Sequence, residues 1–309
     1  MIWWIVGGVA LVLAFAVAFT LYTYVEAFYS PVRRRRKNHE LPEGEQYERV
    51  SEYMHSLISD LEAVPSERVS IITFDGLRLY GRYYHVADGA PLQIQFHGYR
   101  GTPIRDFCGG CRIARESGYN VLLVDQRAQG ESEGKTICFG LKEKFDLIKW
   151  VEYANARFGE QTKIVLVGVS MGGATVLEAT ELELPKNVVG VIADSPFSSP
   201  EEIMSRVCKE KGFHPKFAMP FLKLGARVFG KFKVEGGAVE AVKRSRLPVL
   251  IIHGEDDRYV PVEMGKKVYE ACTSRKMLYI APGAAHGISF ISDPKTYLEK
   301  VNEFLKTVL

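Results

Sequence analysis

No charged side chain occurs between Met1 and Val25, and the 309 residues include only five cysteines, no internal repeat and no low-complexity tract. An odd, scattered set of cysteines does not make a disulfide framework and fits a reducing compartment. Cys108 and Cys111 form one C-x-x-C pair, but no further ligands stand at zinc-site spacing, so no metal centre is expected. The two share helical spacing with Ile104, Phe107 and Ala114, which assigns them to packing. The formal net charge is only +3, and five cations lie in one run, Arg33–Lys37. The remainder is slightly acidic, which excludes the basic surface that a nucleic-acid-binding domain needs. With 47% hydrophobic and 25% charged residues, the chain is not a disordered one. Its length suits a single α/β domain.

The uncharged N-terminal stretch exceeds the about 20 apolar residues that cross a bilayer as a helix. Trp3 and Trp4 at one end, and Tyr22, Tyr24 and Tyr29 at the other, stand where interfacial aromatics belong. A cleaved signal peptide has a basic leader and a shorter apolar core; here the basic residues follow the apolar run. Residues 1–28 are therefore read as an uncleaved, single-pass transmembrane anchor. The run 33–37 would hold the rest of the chain in the cytoplasm and touch the anionic leaflet at roughly 1 kcal/mol per cation. Residues 29–66 read as a basic linker and an amphipathic helix, with Tyr47, Val50, Met54, Leu57, Ile58 and Leu61 at helical spacing and Pro65 as the stop.

Residues 67–309 alternate between strand and helix patterns. Val69–Phe74 and Leu77–His85, joined through Asp75-Gly76, read as a hairpin. Leu92–Phe96, Val121–Val124, Ile164–Val167, Val188–Ala193, Val249–Ile252 and Met277–Ile280 are short apolar runs of strand type. Helices are expected over 103–117 and through Leu141, Phe145, Ile148, Val151, Ala154 and Phe158. Such strands, buried on both faces and separated by helices, imply an α/β fold with a mostly parallel central sheet and helices on both sides. Residues 197–246 break the rhythm with Phe197, Phe213, Phe217, Phe221 and Phe229 among prolines and glycines. An excursion there is expected to form a small helical cap over the carboxyl ends of the strands, the edge where ligands bind.

Gly168-Val169-Ser170-Met171-Gly172 is a G-x-S-x-G run between a strand and a helix. A strand-to-helix turn of this kind has no room for side chains at the glycines and pushes the serine hydroxyl outward. The Met171 N–H, at the helix start, is placed to bind an oxyanion. Ser170 needs a base. His286, in the glycine-rich loop Pro282–Gly287 after the last strand, is the expected one, with His97 and His253 at strand ends as competitors. The acid should follow a strand between serine and histidine; Glu255, Asp256 and Asp257, and Asp194 one strand earlier, are all candidates on chemistry alone.

Together His97-Gly98-Tyr99-Arg100-Gly101, Asp125–Ser132, Gly168–Gly172, His253–Asp257 with Val260-Pro261, and Gly283–Gly287 resemble the α/β-hydrolase superfamily over residues 68–306. The chain is similar in particular to the membrane-anchored bacterial YqkD-like hydrolases. The resemblance implies that Asp257 is the acid and that the Tyr99 N–H is the second oxyanion donor. Gln129 stands where a histidine is frequent in the family, a departure outside the triad. What is implied is a serine hydrolase that cleaves an ester or thioester through Ser170, His286 and Asp257 and an acyl-enzyme intermediate, with no metal or organic cofactor. The aromatic cap and the anchor favour a lipophilic acyl substrate. A peptidase or amidase with the same triad is the alternative, and so is a non-catalytic membrane-bound binding protein of the same fold.

Overall fold

The computed structural model describes the whole chain, Met1–Leu309. Its strands are β1 (Glu67–Ile72), β2 (Arg78–Tyr84), β3 (Leu92–Phe96), β4 (Asn120–Val124), β5 (Ile164–Val169), β6 (Val188–Asp194), β7 (Val249–Gly254) and β8 (Lys276–Ala281). They form one eight-stranded sheet in the order 1-2-4-3-5-6-7-8. β1 and β2 pair antiparallel, as do β2 and β4, and every later pair is parallel. The hairpin turns at Gly76, whose φ of 85° suits a residue without a side chain.

β3, β4 and β7 are buried along their whole length, which is why they read as continuous apolar runs rather than alternations. Successive residues feed opposite faces. Leu122 and Val124 join Trp150, Leu166 and Val176 on one side. Val121 and Leu123 join Phe107, Cys108, Cys111 and Phe304 on the other, so the C-x-x-C pair packs in the core.

Two expected helices are each broken. The stretch expected to be helical over 103–117 is Pro103–Asp106 and Cys108–Glu116, divided at Phe107, whose φ of −118° leaves the helical range. The amphipathic segment is Glu45–Glu48 followed by Ser51–Ala63. The excursion after β6 contains helices Pro200–Glu210 and Pro215–Val228. A third, Ala238–Val242, packs into the sheet-facing core instead.

The N-terminal helix Ile2–Ala27 is 26 residues long, apolar enough to cross a membrane, and exposed over most of its length. Its last turns are not separate from the domain. Tyr24 and Phe28 belong to a third core cluster with Phe139, Met171, Phe197, Leu222 and Phe232. The Phe28 ring lies 5.8 Å from Phe139 and 5.2 Å from Phe232. Ser30 N–H donates to the Lys135 carbonyl, and Ile137 N–H to that of Phe28, each at 2.9 Å. The division expected near residue 28 thus falls inside a packed unit. The basic run is also divided: Arg35 donates to the carbonyls of Gly130, Ser132 and Gly134 at 2.7–3.0 Å, while its neighbours stay at the surface.

Phe28, with no exposed surface, is therefore expected to lose about 3–5 kcal/mol of unfolding free energy on replacement by alanine. Leu11→Ala, at a site 75% exposed in the helix that Phe28 follows, should change it by about 0.5 kcal/mol or less. Denaturant titration of the detergent-solubilised chain measures both.

Candidate active site

β5 ends one residue before Ser170, and the helix Met171–Glu178 starts one residue after it. Chain direction must therefore reverse within a single residue, and Ser170 takes φ 56° and ψ −117° to do so. A non-glycine residue in this region is strained by roughly 1–3 kcal/mol. The flanking glycines follow from the same crowding. A Cβ at Gly168 would lie 2.2 Å from the Gly172 carbonyl oxygen, and one at Gly172 would lie 1.8 Å from that of Phe96. The turn is held by the Ser170 N–H, which donates to the Asp194 carbonyl at 2.8 Å.

Ser170 Oγ lies 2.8 Å from His286 Nε2, and His286 Nδ1 lies 2.7 Å from Asp257 Oδ2. The other Asp257 oxygen accepts the N–H groups of Tyr259 and Val260 at 2.9 and 2.8 Å. Asp257 is buried, whereas Glu255 and Asp256 are exposed. Asp194 faces elsewhere, accepting from Ser195 and Ser289 at 3.0 Å, and burial pushes its carboxyl up to about 6. Burial works against the Asp257 carboxylate too, but the His286 charge and hydrogen bonds from His253 and His286 hold it well below the usual range. Burial likewise disfavours a charged His286, and the facing Asp257 outweighs it, so the imidazole pKa is raised.

The competing histidines have other partners. His97 is fully buried, its Nδ1 bonds the Gly98 carbonyl at 2.9 Å, and its Nε2 accepts from the Gln126 N–H at 3.2 Å. That pattern fixes the Nδ1–H tautomer and pins the loop that follows β3. His253 lies behind the acid, with Nε2 2.8 Å from the Val260 carbonyl and 3.3 Å from Asp257 Oδ2.

The β3 loop carries Tyr99 next to Gly98, and a side chain built at Gly98 would come within 3.2 Å of Ser170 Cβ. The Gly98 N–H donates to Asp106 Oδ2 at 2.8 Å, and the Tyr99 N–H has no acceptor within the protein. Met171 opens its helix, where the first N–H groups have no intrahelical acceptor. Both amides thus stand beside the serine. Motif reading missed several supports. Tyr47 OH donates to the His286 carbonyl at 2.8 Å. Tyr99 OH donates to the Ala27 carbonyl at 2.8 Å, and Arg100 to those of Glu26 and Tyr29 at 3.0 and 3.2 Å. An unpaired Tyr47 among apolar helical positions carried no functional signal in one dimension. Gln129 is buried away from this site, and its amide has no partner.

Ser170 and His286 open into a cavity of about 560 Å³, walled by Tyr99 and Phe139, by Met204 and Leu222 of the excursion, and by Tyr22 and Thr23 of the N-terminal helix. A depression of about 900 Å³ lined by Ser66, His85 and Asp88 lies at the opposite, amino-terminal edge of the sheet, remote from Ser170.

Comparison with known proteins agrees with this fold. Residues 107–213 match the α/β hydrolase fold family, and residues 236–293 a family described as serine aminopeptidase, S33. The uncharacterized protein YqkD of Bacillus subtilis is 32% identical over 190 residues, 61% of this chain and 62% of that protein. The human protein ABHD12B is 29% identical over 240 residues, 71% of this chain and 61% of that protein. The matches thus span about six-tenths of the length of these relatives. Among solved structures, the Pyrococcus furiosus esterase Pf2001 aligns at a TM-score of 0.63 and 25% identity, covering 81% of this chain and 95% of its own. Est1E of Butyrivibrio proteoclasticus, solved with ferulic acid bound, has the same fold at a TM-score of 0.61 and 22% identity, covering 78% of this chain and 98% of its own.

The strain at Ser170 has a measurable sign. Ser170→Gly should raise the unfolding free energy by about 1 kcal/mol by relieving the positive φ, and Ser170→Ala should leave it near wild type. Denaturant midpoints of the two variants distinguish them.

Proposed function

We propose that this chain, which has the α/β-hydrolase fold, is a membrane-anchored serine hydrolase that cleaves carboxylic or thio-esters of lipophilic acyl groups. The observation that carries this reading is the line Ser170 Oγ, His286, Asp257 at the mouth of the 560 Å³ cavity. Ser170 Oγ attacks the acyl carbonyl while His286 Nε2 takes its proton. Asp257 keeps the imidazole in the Nδ1–H tautomer and stabilises the imidazolium. The N–H groups of Tyr99 and Met171 receive the oxyanion, each worth about 10²–10³ in rate. The tetrahedral intermediate collapses as His286 returns the proton to the leaving oxygen or sulfur. A water molecule then attacks the acyl-serine as the imidazole takes one of its protons; His286 passes that proton to Ser170 Oγ on collapse, and the other stays with the released acid. No step draws on a metal or organic cofactor.

Residues 1–28 are assigned as the single-pass anchor, with the domain on the cytoplasmic side because the cations 33–37 follow the span. The apolar wall formed by Phe139, Leu222 and Met204 suits an acyl chain, and the esterase fold of Pf2001 is consistent with ester chemistry. The S33 match over residues 236–293 keeps an aminoacyl amide as the second substrate to try.

Turnover of p-nitrophenyl esters of graded chain length, beside an aminoacyl p-nitroanilide, tests the assignment on the full-length chain in detergent. Ser170→Ala should reduce kcat by about 10⁴-fold or more; retained turnover would refute the nucleophile. Preference for the anilide would move the reading to an amidase.

The pH dependence follows from the charge beside His286. A protonated imidazole cannot accept the serine proton, so kcat/KM is lost as pH falls through its pKa. Because that pKa is raised by Asp257, the acid limb should lie above the ordinary imidazole range. Asp257→Asn should move the limb to lower pH while cutting kcat by about 10³–10⁴-fold. A limb that does not move would remove Asp257 from contact with the base.

A further inference from the structure

The N-terminal helix meets the cap along its last two turns, and this contact sets the depth of the cap. A span that begins at Ile2 and uses about 20 residues ends near Leu21. Phe19, just inside that limit, packs its ring 5.5, 5.4 and 5.1 Å from Phe213, Phe217 and Phe221. If Phe19 lies within the hydrocarbon, those three rings lie at the same level.

The two helices approach closely at Gly225. A Cβ built at Gly225 would come within 3.0 Å of Tyr24 Cβ and 3.1 Å of the Thr20 carbonyl oxygen. Small residues at such crossings let backbones approach. Thr20 and Thr23, both buried, bond their hydroxyls to the Ala16 and Thr20 carbonyls within the helix, so no polar group is stranded there.

The outward face of Pro215–Val228, which starts at Phe217 beside the Phe19 contact, has little protein cover. Phe217, Leu224 and Val228 are 47, 49 and 55% exposed, and with Pro220 they make one stripe. Between His214 and Lys233 there are five cations and no carboxylate. Lys223 is paired with Glu201, and Lys233 with Glu235, both from neighbouring segments. Lys216, Arg227 and Lys231 are exposed and unpaired. An apolar stripe framed by cations is the pattern of a helix lying in an anionic interface, where long basic side chains reach headgroups while their stems stay apolar.

We propose that helix Pro215–Val228 is seated in the headgroup–acyl boundary of an anionic leaflet beside the anchor, and that the pocket takes its acyl substrate from that leaflet rather than from water. Tyr22, Thr23, Glu26 and Ala27, the residues directly beyond the span, wall the cavity that reaches Ser170 and His286. The mouth therefore opens at the bilayer surface, where lipid ester groups lie. The route of access rests on the ester-hydrolase reading above; the seating of the helix does not.

The test uses the full-length chain in vesicles. With Trp3 and Trp4 replaced by phenylalanine, fully buried Trp150 is the sole remaining tryptophan, and Phe217→Trp adds a reporter on the stripe. Brominated acyl chains should quench at least about half of the added emission; quenching no greater than that of Trp150 would overturn the seating. The triple variant Lys216→Glu, Arg227→Glu, Lys231→Glu should turn over a long-chain ester presented in phosphatidylglycerol vesicles about tenfold more slowly. Its rate on a soluble short-chain ester should be unchanged. Equal rates on the vesicle ester, or equal losses on both, would overturn access from the leaflet. Absence of all ester turnover together with strong quenching would instead refute the ester-hydrolase reading and leave the seating in place.

Discussion

The reversal of the chain at Ser170 is the constraint from which the rest of the site follows. A strand and a helix joined by one residue at φ 56° leave no volume for side chains at positions 168 and 172. They project the hydroxyl past the carboxyl edge of the sheet, where the loops after β7 and β8 also end. Because these strands are parallel neighbours in register, the loops bearing Asp257 and His286 emerge side by side. The line from serine to imidazole to carboxylate is thus a consequence of sheet topology, and the strain at one residue is borne by the packing of the sheet around it.

Electrostatics at the site rest on unequal burial of similar groups. Of the carboxylates near His286, Asp257 is stabilised as an anion by two backbone N–H groups and two imidazoles, and Asp194 has only hydroxyl partners and is pushed up to about 6. The same low-dielectric setting that penalises Asp194 makes the Asp257–His286 pair effective. His97 is buried with both ring nitrogens on the backbone, and His253 Nε2 is shared between the Val260 carbonyl and Asp257, which leaves one imidazole facing the serine.

The N-terminal helix departs most from a modular reading. Its last carbonyls accept hydrogen bonds from Tyr99 and Arg100, in the loop beside the serine, and Phe28 fills a core position. The carbonyls at a helix C-terminus carry partial negative charge and lack intrahelical donors. A tyrosine hydroxyl and a guanidinium satisfy them here. The long apolar helix and the loop beside the serine are therefore mechanically joined.

Much of this was legible in one dimension because it is local. Apolar runs of strand length located every strand to within a few residues, the spacing of glycines around Ser170 declared the tight turn, and an uncharged stretch of 25 residues declared the long apolar helix. Those features depend on neighbours in sequence, whose chemistry is written side by side. Which of Glu255, Asp256, Asp257 and Asp194 meets His286 was not local: resemblance to a family pointed to Asp257, but the residues themselves left all four carboxylates open. Only the turn after β7, which sends two outward and one inward, separates the first three. The roles of Tyr47, Tyr99 OH, Arg100 and Gly225 were invisible for the same reason, since each has its partner tens to hundreds of residues away. The sequence by itself determined the elements and the kinds of chemistry available. Tertiary structure decided which groups touch, because contact between distant residues depends on the packing of the whole sheet and not on any spacing along the chain.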